Sequence, residues 1–167
     1  MSDQNIAIIA PHPDDEIIGC FEIVSNYQTM ILYDANTPQL RREEAMKLKD
    51  EFDIGMQFFM TNIPPPWLTM ENLIMFFPDP VNEVHPLHRH WGQMGESLAR
   101  SGKNVVFYTT IMNTPYIREL DCFHAKRDTL DKYFPSQKNM WTWEHKYYLF
   151  EGYKRYIFNT EDIFNGY

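Results

Sequence analysis

The chain contains few cysteines, and it carries an excess of acidic residues. Its 167 residues include two cysteines, Cys20 and Cys122, neither of them in a CxxC pair. A disulfide framework or a cysteine-rich zinc site is therefore not expected. The net charge of -8 disfavours a nucleic-acid backbone as a partner. Neither a glycine-rich dinucleotide fingerprint nor a GxxxxGK phosphate loop occurs, so a nicotinamide cofactor is not expected.

Long hydrophobic runs are also lacking. No apolar stretch approaches the roughly 20 residues that a membrane span requires. The first five residues include no basic region, so they are not expected to form a signal peptide. These features predict a cytoplasmic protein without a membrane span, folded as a single domain over residues 1–167. The aromatic content of 16% is compatible with a homo-oligomer, and the sequence leaves the oligomeric state open.

Apolar runs alternate with amphipathic segments from residue 6 to about residue 110. This alternation predicts an α/β fold with a mainly parallel sheet of about five strands flanked by helices. Strands are expected at residues 6–10, 29–33, 56–60, 73–77 and 105–109, and helices at 16–26, 39–52, 86–101 and 121–134. Residues 61–67, which include three consecutive prolines, are expected to be irregular, and residues 141–153 to be of mixed structure.

The first strand leads directly into a cluster of ionisable residues. His12, Asp14, Asp15 and Glu16 follow Ile6-Ala7-Ile8-Ile9-Ala10 within a few positions. Open α/β sheets bind ligands at the carboxyl ends of their strands, which is where these side chains should lie. A helix-capping loop is the alternative, with Asp14 or Asp15 as the cap and Glu16 at the positive end of the helix dipole. We interpret the cluster as a metal-binding catalytic loop.

A second cluster, His85-Pro86-Leu87-His88, follows the fourth predicted strand and opens a helix. Parallel strands end at the same edge of a sheet, so the two clusters can converge. Catalytic zinc typically has three protein ligands and an open position for water, and a His-Asp-His set fits that requirement. Of the adjacent Asp14 and Asp15, one can bind metal and the other can accept a proton, and their spacing does not say which. The remaining histidines are expected to have structural or surface roles: His90, His124 and His145.

Several motifs together resemble the PIG-L/LmbE-like family of zinc-dependent N-acetylglucosamine deacetylases. Ala10 to Glu16 resembles the family's HPDDE motif, and His85 to His88 is similar to its HPDH, with Leu87 in place of the Asp. Further resemblances follow in the family's order, namely Arg41 and Glu44 to its R-x-x-E, Lys126 with Ser136-Gln137 to its late K…SQ, and Glu151 to its closing acidic stretch. The likeness covers most of the chain.

The resemblance implies a Rossmann-like, LmbE-like sheet and removal of an N-acetyl group from an amino sugar such as GlcNAc. This would be an amide hydrolase that acts on C–N bonds other than peptide bonds. The zinc ligands would be His12, Asp15 and His88, although Fe2+ or another divalent ion fits the same set. Asp14 would be the general base that activates metal-bound water, and His85 the general acid or a stabiliser of the oxyanion.

Arg41 is expected either to bind the substrate or to form surface ion pairs on its helix. Glu16 is expected to act on the helix dipole or to support His12. Two departures keep other functions open, because Glu83 stands where some relatives have a tyrosine and Leu87 removes a carboxylate. The alternatives are a catalytically degenerate, metal-containing module that binds a glycan or nucleotide sugar, and a metal-dependent amidase with a non-sugar substrate.

Overall fold

The computed structural model describes residues 5–60, 65–111, 114–140 and 149–155. It contains seven strands, namely β1 (Asn5–Ala10), β2 (Thr29–Asp34), β3 (Ile54–Phe59), β4 (Leu73–Pro78), β5 (Asn104–Tyr108), β6 (Ile117–Glu119) and β7 (Phe150–Arg155). The α-helices are α1 (Asp15–Asn26), α2 (Gln39–Leu48), α3 (Pro86–Arg100) and α4 (Phe123–Tyr133). Short 3₁₀ helices span Pro66–Thr69 and Pro135–Met140.

The strands form one sheet in the order β3-β2-β1-β4-β5-β7-β6. The first five strands are parallel, and β7 pairs antiparallel with both β5 and β6. The α/β class and the mainly parallel sheet are thereby confirmed, and the arrangement is compatible with a Rossmann-like fold. The predicted number of about five strands is too low. Strands β6 and β7 were missed because β6 has only three residues and β7 includes Gly152, Lys154 and Arg155, which do not alternate as a half-buried strand would.

Alternation along the strands divides the core between the two faces of the sheet. Ile6 and Ile8 of β1 pack with apolar residues of α1, α2 and α4. Ala7 and Ile9, which point the other way, pack with α3, where Trp91 is fully buried. Burial on both faces explains why β1 is an unbroken apolar run. Gly19 brings α1 close to β5, since a Cβ there would lie 2.2 Å from the Tyr108 ring.

The predicted helices agree with the structure apart from their ends. The second predicted helix, over residues 39–52, is too long, because α2 ends at Leu48 and residues 49–52 form turns and a bend. The expected irregular segment 61–67 and mixed segment 141–153 lie partly outside the described residues, and His145 lies wholly outside them. His90 and His124 are exposed, as expected. Cys20 and Cys122 are both free thiols. Within the described ranges, no helix is long and apolar enough to cross a membrane.

Candidate active site

The site lies where the strand order of the sheet reverses. Strands β1 and β4 are parallel neighbours, with Ile8 opposite Phe76, although they are far apart in the chain. The loops after them carry the two predicted clusters and meet at one edge of the sheet. In open α/β sheets this switch point is the usual place for a ligand. The convergence predicted from the two motifs is therefore what the structure shows.

Three donor atoms of these loops form a compact triangle. His12 Nδ1 lies 3.1 Å from His88 Nε2, His88 Nε2 lies 3.1 Å from Asp15 Oδ2, and Asp15 Oδ2 lies 3.3 Å from His12 Nδ1. Asp15 Oδ2 also accepts a hydrogen bond of 2.8 Å from the His12 backbone N–H. Two elements distant in sequence thus bring two imidazole nitrogens and one carboxylate oxygen to a common point.

The triangle has dimensions that suit a divalent metal ion. Atoms that bind one tetrahedral zinc at about 2.1 Å lie roughly 3.4 Å from one another. Two imidazoles and a carboxylate are also ordinary zinc or iron ligands. His12, His85 and His88 can form an alternative group, with one nitrogen from each within 4.8 Å of the others. The residues present therefore fit a metal, whose identity the donor set leaves open.

Asp15 and His88 favour each other's charged forms. Burial acts to raise the pKa of Asp15, but His88 and His12 beside it outweigh burial and hold that pKa well below the usual range. Burial acts to lower the pKa of His88, but Asp15 and Glu83 raise it to about 10. His88 therefore carries a proton that a metal ion would have to displace.

Asp14 is held in an unusual backbone conformation. Its φ of 119° lies in a region that few non-glycine residues adopt. Its backbone N–H donates to Glu16 Oε2 at 3.0 Å, and its Oδ2 lies 2.7 Å from Arg41 Nη2. Burial and the neighbouring Asp15 raise the pKa of Asp14 despite Arg41. Asp14 is thus a buried carboxylate with raised basicity on the border of the cavity.

Arg41 is engaged with the first loop. Besides its ion pair with Asp14, its Nη2 donates to the carbonyl oxygen of Pro13. Arg41 lines the cavity, but these contacts direct its guanidinium towards the protein's own chain. Arg41 therefore holds Pro13 and Asp14 in place. The expected alternative, an ion pair on the surface of α2, is not what the structure shows.

The capping alternative for the first cluster does not describe the Asp14 side chain. Asp14 occupies the N-cap position of α1, but its side chain makes no capping hydrogen bond there, because the left-handed backbone turns that side chain towards Arg41.

Glu16 lies beneath the loop rather than beside His12. Its Oε1 accepts a 2.7 Å hydrogen bond from the Tyr33 hydroxyl, and its Oε2 accepts from the Asp14 N–H. Burial, against the hydrogen bond from Tyr33, raises the pKa of Glu16 to about 7. The expected support of His12 is therefore replaced by support of the Asp14 backbone.

His85 stands at the N-terminus of α3 on the open side of the triangle. Its Nδ1 accepts a hydrogen bond of 3.2 Å from the Leu87 N–H, which leaves Nε2 as the nitrogen able to carry or transfer a proton. Its ring packs edge-to-face on His12 with centroids 4.8 Å apart. Burial and the neighbouring His12 and His88 lower the pKa of His85. His85 is exposed, so a small molecule could reach it.

A cavity of about 290 Å³ opens over these groups. It is lined by the predicted residues and by Ile18, Glu83, Val84, Thr110 and Ile111. A volume of this size is at the lower end of small-molecule sites. All six predicted site residues thus border one cavity: His12, Asp14, Asp15, Arg41, His85 and His88.

Sequence reasoning missed the partners of His88. Glu83 Oε2 lies 3.0 Å from His88 Nδ1, and Thr110 donates to Glu83 through both its N–H and its hydroxyl. Glu83 was noted only for replacing a tyrosine. Its position five residues before His88 was a weak signal, whereas nothing in the sequence indicated that Thr110, after β5, would join it.

The other motif residues also come together, although away from the cavity. Glu44 accepts hydrogen bonds from the N–H and the hydroxyl of Ser136, at 2.8 and 2.6 Å. Lys126 Nζ lies 3.5 Å from Glu151 Oε1, and both side chains are fully buried. These contacts join the motifs in pairs that hold α1, α2, α4 and β7 together.

Comparison of the chain with protein-family models, with curated proteins and with solved structures gives no match.

Proposed function

We propose that the protein is a metal-dependent hydrolase that removes an N-acetyl group from an amino sugar of the GlcNAc type. The observation that carries this proposal is the triangle of His12 Nδ1, Asp15 Oδ2 and His88 Nε2, beside a buried Asp14 of raised pKa. Enzymes that hydrolyse an unactivated amide commonly combine a metal ion with a nearby carboxylate that does not bind the metal.

In this proposal, His12, Asp15 and His88 would hold the metal, with zinc as the first choice and Fe2+ as another. A divalent ion in such a site lowers the pKa of water and polarises a carbonyl oxygen. Asp14 accepts the proton of the attacking water, which its raised pKa favours. His85 would donate a hydrogen bond from Nε2 to the developing oxyanion, since its Nδ1 accepts from the Leu87 N–H, and the proton taken up by Asp14 would pass to the departing amine.

The substrate class rests on the motifs. We infer membership of the PIG-L/LmbE-like deacetylases, and with it an LmbE-like form of the Rossmann-like sheet, from the HPDDE-like and HPDH-like segments. The cavity of about 290 Å³ suits one sugar ring better than a polymer, which favours a small soluble substrate. Arg41, expected as a substrate ligand, could still reach a substrate hydroxyl from the cavity wall.

The test combines metal content with product release. Purified protein should bind close to one zinc per chain, and removing that zinc with a chelator should abolish amine and acetate release from N-acetylglucosamine derivatives. The substrate panel should also include N-acetylated amino acids and simple anilides, which report a non-sugar amidase. Protein that retains no metal after dialysis against zinc would contradict the proposal.

A degenerate binding module is the second candidate. The ion pair between Arg41 and Asp14 favours it, because a cation 2.7 Å from Asp14 Oδ2 opposes acceptance of a proton by that carboxylate. Zinc-loaded protein would then bind an N-acetylated sugar or a nucleotide sugar, as seen by calorimetry, while releasing no amine during prolonged incubation. Turnover of any panel member would exclude this candidate.

A further inference from the structure

We propose that Glu83 is a positioning residue that orients the His88 ring so that Nε2 is presented for metal binding. The inference rests on the metal site of the proposed function. It concerns a side chain that neither motif includes and that would not itself touch the metal or the substrate.

The geometry around His88 gives each ring nitrogen a separate partner. Nε2 faces Asp15 Oδ2 at 3.1 Å, and Nδ1 faces Glu83 Oε2 at 3.0 Å. A carboxylate can only accept, so Nδ1 must carry the hydrogen in that contact. With the hydrogen on Nδ1, it is Nε2, the nitrogen that faces Asp15 Oδ2 and His12 Nδ1, that would offer its lone pair to a metal ion. Metal-binding histidines commonly have their second nitrogen fixed in this way.

Glu83 is itself held in place. Its Oε1 accepts a 2.6 Å hydrogen bond from the Thr110 N–H, and its Oε2 accepts a 2.9 Å bond from the Thr110 hydroxyl. Only 2% of the residue is exposed. The carboxylate therefore has little freedom to rotate, because Thr110, just after β5, holds it against the His88 imidazole.

A purely structural role is the alternative, in which Glu83 merely ties the β4–α3 loop to Thr110. The two roles separate in the variant Glu83→Gln, because a glutamine keeps the size of the side chain. An amide can donate to Nδ1 as well as accept, so it no longer forces the tautomer that leaves Nε2 free. A positioning role therefore predicts weaker metal binding, whereas a tether predicts only lower stability.

The experiment measures zinc affinity by competition with a chromophoric chelator, together with the unfolding midpoint of the metal-free protein. For Glu83→Gln we expect an affinity about 10- to 100-fold weaker than that of the unsubstituted protein. The matched control is Asp79→Asn. Asp79 is a buried carboxylate of the same loop that pairs with Lys154 and accepts from Tyr116. It should lower the unfolding midpoint without changing zinc affinity.

An unchanged zinc affinity in folded Glu83→Gln would overturn the inference while leaving the metal site intact. Failure of the unsubstituted protein to bind zinc would instead reject the proposed function. If Glu83→Gln does not fold, nitrogen-15 NMR of the zinc-loaded protein decides. Coordination of His88 through Nε2 with a hydrogen on Nδ1 is expected, and coordination through Nδ1 would refute the role of Glu83.

Discussion

Two buried ionic clusters lie at opposite ends of the first half of α1, and they differ in how completely their polar atoms are satisfied. At its N-terminus, Asp14, Asp15 and His88 face a cavity. Near Cys20, where the backbone of α1 leaves helical geometry, Lys126 and Glu151 meet inside the core. Both clusters contain charges removed from water, which is costly unless partners compensate.

In the inner cluster, which consists of Lys126 and Glu151, both charged groups have hydrogen-bond partners. Lys126 Nζ donates to Ile18 O at 2.5 Å and to Phe150 O at 2.8 Å. Glu151 accepts from the N–H groups of Phe21 and Glu22, which follow the interruption of α1, and from the Tyr153 hydroxyl. The ion pair thus bridges the irregular point of the helix, and this arrangement indicates a structural role.

In the outer cluster, which consists of Asp14, Asp15 and His88, one carboxylate oxygen lacks a hydrogen-bond partner among the described residues. Although Asp14 Oδ2 lies 2.7 Å from Arg41 Nη2, the direction of the contact is not that of a hydrogen bond, and this oxygen accepts none from the described residues. Asp14 also adopts a strained φ of 119°. Unsatisfied charge and backbone strain cluster at functional sites in proteins generally. The comparison therefore separates a cluster that holds the fold from one that is available to a ligand.

The largest effect is expected for Asp14→Asn. Replacing the carboxylate removes the proposed proton acceptor, so turnover should fall about 10²- to 10⁴-fold. Zinc content should stay the same, since Asp14 is not part of the triangle. Activity is measured as amine release and zinc by elemental analysis. Near-normal turnover in this variant would remove Asp14 from the chemistry.

Breaking the inner cluster should affect stability and not chemistry. Lys126→Met leaves the Glu151 carboxylate buried without its cation, which should reduce the free energy of unfolding by about 3–5 kcal/mol. Urea denaturation of the metal-free protein measures this loss. The matched control is Lys132→Met, at an exposed lysine 2.7 Å from Glu51, and it should leave the unfolding midpoint unchanged. A similar midpoint for both variants would show that the inner pair has no special structural role.

His85→Ala tests the division of labour among the histidines. Loss of the proposed hydrogen bond from Nε2 to the oxyanion should lower turnover about 10²-fold while zinc remains bound. His88→Ala is the comparison, and it should lose the metal because it removes a corner of the triangle. If His85→Ala also loses zinc, the ligand set is His12, His85 and His88, and Asp15 has another role.

The smallest effect is expected for Arg41→Gln. If Arg41 holds Asp14 and Pro13, kcat should fall roughly tenfold with little change in KM, because ground-state binding is not affected. A substrate ligand would instead raise KM and leave kcat unchanged. Lys47→Gln, an exposed position on the same helix, should alter neither constant. A change confined to KM would restore the substrate-binding role.

Much of the fold could be read from local patterns. Ile6 to Ala10 and Val105 to Tyr108 are apolar runs that only a strand buried on both faces would contain, and they lie in strands β1 and β5. The 3₁₀ helix at Pro135–Met140, the interruption of α1 at Cys20 and the antiparallel strands β6 and β7 were not predicted. These features depend on contacts between distant segments, such as that of Glu151 with Phe21, which no local pattern encodes.

The candidate site, like the fold, could be predicted only in part from local sequence patterns. The two clusters of ionisable residues and their positions after strands follow from local sequence, because hydrophobic periodicity and proline indicate where strands end and helices begin. The folded chain was needed to show that β1 and β4 are neighbours, that Asp15 rather than Asp14 faces both histidines, and that Glu83 and Thr110 lie behind His88. These directions follow from the pairing of β1 with β4 and from the left-handed backbone at Asp14, whose N–H is bound by Glu16, itself held by Tyr33 of β2.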